Sequence, residues 1–510
     1  MSTKLIVSNE TALKSKYGQN LARVKRALAR LKAADKIRGI QTRIVYIDKK
    51  SDMRKFNAVR KRVTDPSNSK QNKDAVDKVY KSLKPDYLVI FGANDVVAQQ
   101  DMKNGNYEKG GIDDDFYAWG DLPYACDAPY SKKIHDFLGA TRVVGRIPDI
   151  DGGSDVRYIE KLISNIVSAR SRSIEDYDEF LAITAKAWAK ASEETIKGVF
   201  GQNQGMRESP DKGPDWRNQL KSRIHFINCH GGDTDPQQYG DPQNYPVAHS
   251  SKYLSAHAAL IQPGTIFAAE CCYGAQLYDP KKADNEMPIV NVYLHSGAYA
   301  VFGSSTVAYG AIEGNECADL LVGYFLKHLR AAASTGRAVL QARQDYVMKL
   351  GTLDQADLKT LGQFSLMGDP SIHPVGVKHD TRSVIALSGN SNMAAHGAVL
   401  AAKRMDRRRH LAALGDHLAR NTGHASRRVN KKPGRHIHRH IQQVLGVSDL
   451  SKVSLRSYAV KHPAYNSGAA RRTIHIATYM RVPSDSRSGT LVIVDEINSR
   501  INSSRRLARH

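Results

Sequence analysis

The chain holds 510 residues, 41% of them hydrophobic and 7% aromatic, with 75 Lys+Arg against 51 Asp+Glu for a formal charge of +24. This composition is ordinary for a folded protein and excludes a disordered or collagen-like chain, while the length exceeds what one compact core usually organises, so two or three units are expected. No run of about 18 apolar residues marks a membrane span, Met1 to Gly18 lacks a secretory signal, and five cysteines form no disulfide framework, which predicts reduced thiols in a cytoplasmic protein.

From Lys4 onward, short apolar runs alternate with helical stretches. Lys4 to Val7, Arg43 to Ile47, Tyr87 to Phe91 and Arg142 to Ile147 read as strands, separated by helices over Leu13 to Ala34 and Asp74 to Leu83. This rhythm predicts a parallel α/β sheet in a first unit, 1–150. Ile159, Leu162, Ile163 and Ile166 give the next helix its apolar face. In a second unit, 151–375, Ile224 to Asn228, Thr265 to Ala269 and Tyr299 to Phe302 read as buried strands. Helices are expected over Ile174 to Val199, Glu286 to His295, Glu316 to Ala333 and Arg337 to Leu350.

After Pro370 the texture changes, with a linker predicted over 376–392 and a small basic α+β domain over 393–510. From Gly376 to the end, 25 Lys+Arg face 7 Asp+Glu and 11 of the 19 histidines occur. A helix over Ala394 to Arg420 and a strand pair, Thr473 to Val482 and Thr490 to Ile497, are its expected elements.

Two strand ends carry the chemistry. His225 to Cys229 runs out of apolar residues at His230-Gly231, and Thr265 to Ala269 runs out at Glu270-Cys271-Cys272-Tyr273-Gly274. Strands ending in His and in Cys can present an imidazole and a thiol at one sheet edge. A thiol with a pKa near 8.5 is mostly protonated at neutral pH, and an adjacent imidazole can take that proton and later return it to a leaving amine. Gly231 lets its N–H approach an oxyanion without a Cβ in the way, and the N–H of Cys271 is the natural second donor.

An apolar strand ending in His-Gly, followed by one ending in a Cys with Gly three positions on, resembles the caspase, legumain, separase and gingipain clan of cysteine peptidases. The surroundings resemble the gingipain family: Tyr87 to Gly92, Val144-Gly145-Arg146-Ile147-Pro148, Gly303-Ser304-Ser305-Thr306 and Met367-Gly368-Asp369-Pro370 follow that family's order over about Lys4 to Val375. The resemblance implies a caspase-like three-layer sandwich, its mostly parallel sheet in two subdomains. It also implies a cysteine peptidase with His230 as general base and acid, Cys271 as nucleophile, and Gly231 and Cys271 as oxyanion donors. Ser305 and Tyr309 fall where the family walls the pocket for the residue before the cut. The family's secretion and prodomain are not carried over, and Glu270 stands where a small residue commonly precedes the nucleophile.

Other readings compete at several positions. A strand-end His is more often structural, and paired cysteines more often pack a core. Cys229, His230, Cys271 and Cys272 include metal-ligand types, but neighbours on extended backbone point to opposite faces, so no metal site is assigned. Cys126, Cys229 and Cys317 read as core packing. Asp233, Asp235 and Asp241 lie beside a basic substrate residue or form a solvated loop, and Glu208, Asp211 and Asp215 carry the same two readings. His436, His438 and His440 read as a strand or turn among arginines. The expected partner is a protein or peptide substrate, with no cofactor and no membrane. Arg404 to Arg409 and Arg427 to Lys432 would hold an acidic protein or nucleic acid if the chain were instead an inactive caspase-like scaffold.

Overall fold

The computed structural model describes residues 1–210, 212–241, 245–376, 393–430, 432–461, 472–482 and 485–510. Asp211 and the expected linker beyond Gly376 lie outside them. Ten strands build the main sheet: β1 (Ser2–Ser8), β2 (Ile40–Tyr46), β3 (Tyr87–Phe91), β4 (Val144–Ile147), β5 (Phe180–Thr184), β6 (Met206–Glu208), β7 (Ile224–Asn228), β8 (Ile266–Ala269), β9 (Ala300–Gly303) and β10 (Ser365–Gly368). Their spatial order is β2-β1-β3-β4-β10-β9-β8-β7-β5-β6. Every neighbouring pair is parallel except β9 with β10, so two parallel halves run in opposite directions and meet at that one antiparallel seam.

Helices cover both faces, which is why the strands read as continuous apolar runs. Leu5, Ile6 and Val7 are all fully buried, each contributing roughly 1.5–3 kcal/mol of hydrophobic stabilisation. Lys4, also buried, bonds Asp35 and Asp369 at 2.7 Å each and so ties β1 to the helix Leu21–Ile37 and to the end of β10. Arg146 in β4 is fully buried, its Nε and Nη2 on Asp121 at 2.9 and 2.7 Å.

The expected helix over Ile174 to Val199 is replaced by β5 and a shorter helix, Ala189–Phe200. Phe180-Leu181-Ala182-Ile183-Thr184 is a short apolar run between two polar turns, and a strand buried on both faces shows no period to tell it from a helix. The expected helix over Leu13 to Ala34 is two, Glu10–Tyr17 and Leu21–Ile37, parted at Gly18, whose φ of 51° lies outside helical space.

The C-terminal part opens with the helix Met393–Asn421. Strands Gly423–Val429, Val453–Lys461, Arg472–Val482, Asp485–Ile497 and Arg500–Arg509 follow, with the helix Arg435–Leu445 between the first two. They join Tyr309–Ala311 at one edge and Thr352–Leu353 at the other in a seven-stranded sheet. His436, His438 and His440 thus lie on a helix, not on a strand or turn; His436 bonds Glu496 at 3.0 Å. Leu418, Tyr458, Ile476, Leu491 and Leu507 from this part share the core of the main sheet.

Candidate active site

β7 and β8 lie side by side with Ile227 opposite Ala269. Alternation along the pleat then sorts the residues that follow. Asn228 and Glu270 turn to one face, where Asn228 donates to the fully buried Asp319 at 3.5 Å and the Glu270 carboxyl lies near it. Cys229 and Cys271 turn the other way, and Cys271 Sγ accepts the N–H of Cys229 at 3.4 Å and donates to the carbonyl of Ile227 at 3.5 Å. Burial pushes the Cys271 thiol well up, and the neighbouring Cys229 thiol adds to the rise. Cys271 is thus held against the backbone of β7.

Cys272 occupies a different place. Its Sγ accepts the N–H of Ala308 at 3.2 Å and donates to the Ala308 carbonyl at 3.6 Å, with the charge of the Arg509 guanidinium nearby. Burial raises this thiol too, opposed by Arg509 and by the Ala308 N–H. The turn that presents it is pinned to the next wall: Tyr273, in left-handed space with φ 55°, donates its N–H to Thr306 O at 3.0 Å, and Ala275 donates to Ser304 O at 2.7 Å. Ser304 Oγ donates to Cys271 O at 2.8 Å.

His230 and Gly231 leave β7 as the first strand of a small antiparallel sheet with Gln237–Tyr239 and Val247–Ser250. A Cβ on Gly231 would lie 1.9 Å from the carbonyl oxygen of Cys272, so only glycine fits and the His230-Gly231 backbone presses on the Cys272 turn. The His230 ring meets the Trp188 edge at 4.5 Å and Tyr245 at 5.7 Å between centroids. Trp188 is placed by the turn Lys186–Trp188, whose first two N–H groups donate to Asp241 at 2.6 and 3.0 Å.

The other expected residues fall around this centre. Asp233 is exposed and accepts from Gln276 at 2.6 Å, and Asp235 braces the Gln237–Tyr239 strand through Tyr239 OH at 2.9 Å. Ser305 Oγ donates to the carbonyl of Trp119. Tyr309 is fully buried with its hydroxyl on Asp113 at 2.7 Å, so its ring is no exposed wall; its backbone instead pairs with Arg509. Glu208 is exposed and Asp215 lies 3.4 Å from Arg207. Among the described residues no three His, Cys, Asp or Glu side chains converge to hold a metal.

Sequence reasoning missed Asp115, which takes Tyr273 OH at 2.9 Å and the Val307 N–H at 2.8 Å, bracing the thiol turn and the wall together. It also missed the Glu270 and Asp319 pair. Burial, the larger cause for each, lifts Glu270 well up and Asp319 to about 7, and the nearness of the two carboxyls adds to the rise at Glu270. Glu270, which the sequence marked as unusual before the expected nucleophile Cys271, is buried against Asp319 on the face opposite Cys271.

A thiol turn pressed against a His-Gly strand end, at the edge of an α/β sheet and beside a backbone edge that pairs with an extended segment, defines a thiol hydrolase. Residues 5–375 match the model of peptidase family C25, so the chain belongs to that family and is a cysteine peptidase. No curated protein matches the chain. A solved structure described as "Structure of Protease" is 12% identical with a TM-score of 0.47, covering 100% of this chain and 97% of its own. The Saccharomyces cerevisiae separase–securin complex is 15% identical with a TM-score of 0.28, spanning 46% of this chain and 14% of its own.

Proposed function

We propose that the chain is an endopeptidase in which Cys272 is the nucleophile, His230 the general base and acid, and the N–H groups of Gly231 and Cys272 the oxyanion donors. The observation that carries this reading, and moves the nucleophile from Cys271, is the contact of Gly231 with the Cys272 carbonyl together with the place of Cys272 Sγ against Ala308, whose N–H and carbonyl it meets at 3.2 and 3.6 Å, whereas Cys271 Sγ meets the backbone of β7. Cys271 then becomes the small residue that precedes the nucleophile.

In the reaction the imidazole of His230 takes the Cys272 proton and the sulfur bonds to the substrate carbonyl carbon. The oxyanion is met by two N–H groups, each contributing on the order of 3 kcal/mol to the transition state. The C–N bond breaks as His230 returns its proton to the amine. Water, deprotonated by the same ring, then cleaves the thioester to free the acid and restore the thiol. The substrate strand runs along Ala308 to Ala311, engaging Tyr309 through its backbone.

The caspase-like sandwich in two subdomains, 1–150 and 151–375, is supported by the two oppositely directed half-sheets, with β10 returning to the first half. For 393–510, a role within the protein is favoured over nucleic-acid binding, because Arg456, Arg472, Arg505 and Arg509 all turn onto carbonyls or carboxylates of the protein itself. Five free, buried cysteines support a reducing, cytoplasmic setting. Among the described residues no helix is long and apolar enough to cross a membrane.

Cleavage of a peptide library followed by mass spectrometry tests the assignment. Cys272→Ala and His230→Ala are expected to lower kcat/KM at least 10³-fold, and Cys271→Ala no more than about tenfold. Activity that survives Cys272→Ala and vanishes in Cys271→Ala would reverse it.

A further inference from the structure

The catalytic groups proposed above are covered: His230 is 2% exposed, Cys272 1% and Cys271 0%. What covers them is the end of the strand Arg500–Arg509. It lies antiparallel on Tyr309–Ala311, with Tyr309 opposite Arg509, Gly310 opposite Ala508 and Ala311 opposite Leu507. The N–H of His510 extends the ladder to Ala308 O at 3.1 Å. Ala308 is the residue whose own N–H meets Cys272 Sγ, so the ladder reaches the thiol itself.

The side chains fill the space on both sides. Arg509 is buried, donates Nη1 to the carbonyl of Ile112 at 3.0 Å, and brings its charge close enough to Cys272 to oppose the rise of that thiol. His510 is fully buried, stacked on Trp188 with centroids 4.4 Å apart and planes 28° from parallel, and its Nε2 lies 3.8 Å from Asp319 Oδ1. It is close enough to His230 for the charge on one ring to oppose charge on the other. Trp188 thus contacts both imidazoles, His230 at a steep interplanar angle of 61° and His510 in a stack.

An endopeptidase must take an extended substrate along an unpaired backbone edge and bring one carbonyl within reach of both thiol and imidazole. Here the edge beside Cys272 is already paired, and the two side chains that follow lie near the thiol and beside the imidazole. We propose that residues Leu507 to His510 occupy the substrate groove in cis, so that the chain as folded is self-blocked and turns over only when this segment leaves. The inference rests on the Cys272 and His230 assignment. The rest of the strand stays behind when the end peels away, because Arg505 is bonded to Asp354 and Asp357 and residues 500–506 keep their pairing with Val492 to Ile497, only Leu507 and Ala508 releasing Leu491 and Thr490.

The test compares the full chain with one ending at Arg506 and with the double variant Arg509→Ser/His510→Gly, which keeps the Leu507 anchor. Each is alkylated with iodoacetamide under native conditions, the modified cysteines are mapped by mass spectrometry, and peptide hydrolysis is measured in parallel. Both variants are expected to alkylate Cys272 at least tenfold faster than the full chain and to hydrolyse peptide at least tenfold faster. A synthetic peptide of residues 500–510 is expected to slow both again. Cys126, buried and bonded to the carbonyl of Phe137, should stay unmodified; if shortening loosens the fold it reacts, and the double variant then decides. Faster alkylation without any hydrolysis would uphold the block and sink the peptidase reading. Alkylation of Cys272 within twofold of the full chain in the double variant overturns the block, whatever the hydrolysis rate.

Discussion

One position along a strand turns a side chain to the opposite face, and that step separates Cys271 from Cys272. Cys271 shares the side of Cys229 and is bonded to β7, whereas Cys272 borders the wall at Ala308. Gly231 depends on the same step, since its neighbour across the gap is the Cys272 carbonyl, a backbone atom that cannot swing away. Gly231→Ala is therefore expected to push the His230-Gly231 backbone off the thiol turn, lowering kcat by about 10²–10³ while costing only about 1–3 kcal/mol of stability. Kinetics alongside thermal unfolding check this, and a kcat near that of the unaltered chain would remove Gly231 from the oxyanion site. That β7 runs out at His230-Gly231 was legible because its apolar residues visibly end there. Where each of two adjacent thiols turns was not, because it depends on the pairing of Ala269 with Ile227, which no single segment encodes.

At the scale of elements, the strand Arg500–Arg509 is held by charge more than by apolar burial, since Leu507 is its one fully buried hydrophobic residue. Arg505 carries much of that load, bonded to Asp354 and Asp357 and lying 3.3 Å from Glu316. Burial, the larger cause, lifts Asp357 to about 6 even with Arg505 present. Arg505→Gln strands buried carboxyls and is expected to cost about 3–5 kcal/mol. Without the guanidinium the Asp357 carboxyl titrates higher still in the folded chain than in the unfolded one. The folded form is then penalised increasingly as pH rises above the unfolded value near 3.9, and the deficit is larger at pH 8 than at pH 5. Urea unfolding at both pH values measures it; a deficit below about 1 kcal/mol at pH 8 would show that the carboxyls find other partners. This strand escaped sequence reasoning because arginine and serine dominate it and no apolar alternation marks it, as in Gly423–Val429. β5 escaped for the opposite reason, being apolar throughout.

At the scale of the molecule, the alternation of strands and helices was readable because parallel strands buried on both faces must be apolar and their crossovers amphipathic. What was not readable is how the chain closes on itself. Tyr309 pairs with Arg509 and Thr352 with Gly423, contacts between remote segments that stitch the C-terminal sheet to the catalytic body at both edges. The same closure brings residues 507–510 of the seven-stranded sheet onto a turn that leaves the ten-stranded sheet near the middle of the chain. The most direct measurement is reaction of the chain ending at Arg506 with a peptidyl acyloxymethyl ketone, the adduct being located by tandem mass spectrometry in the wild-type background and with His230→Ala. A single thioether on Cys272 that depends on His230 is the predicted result. An adduct on Cys271, or labelling of Cys272 that proceeds equally without the imidazole, would contradict the assignment.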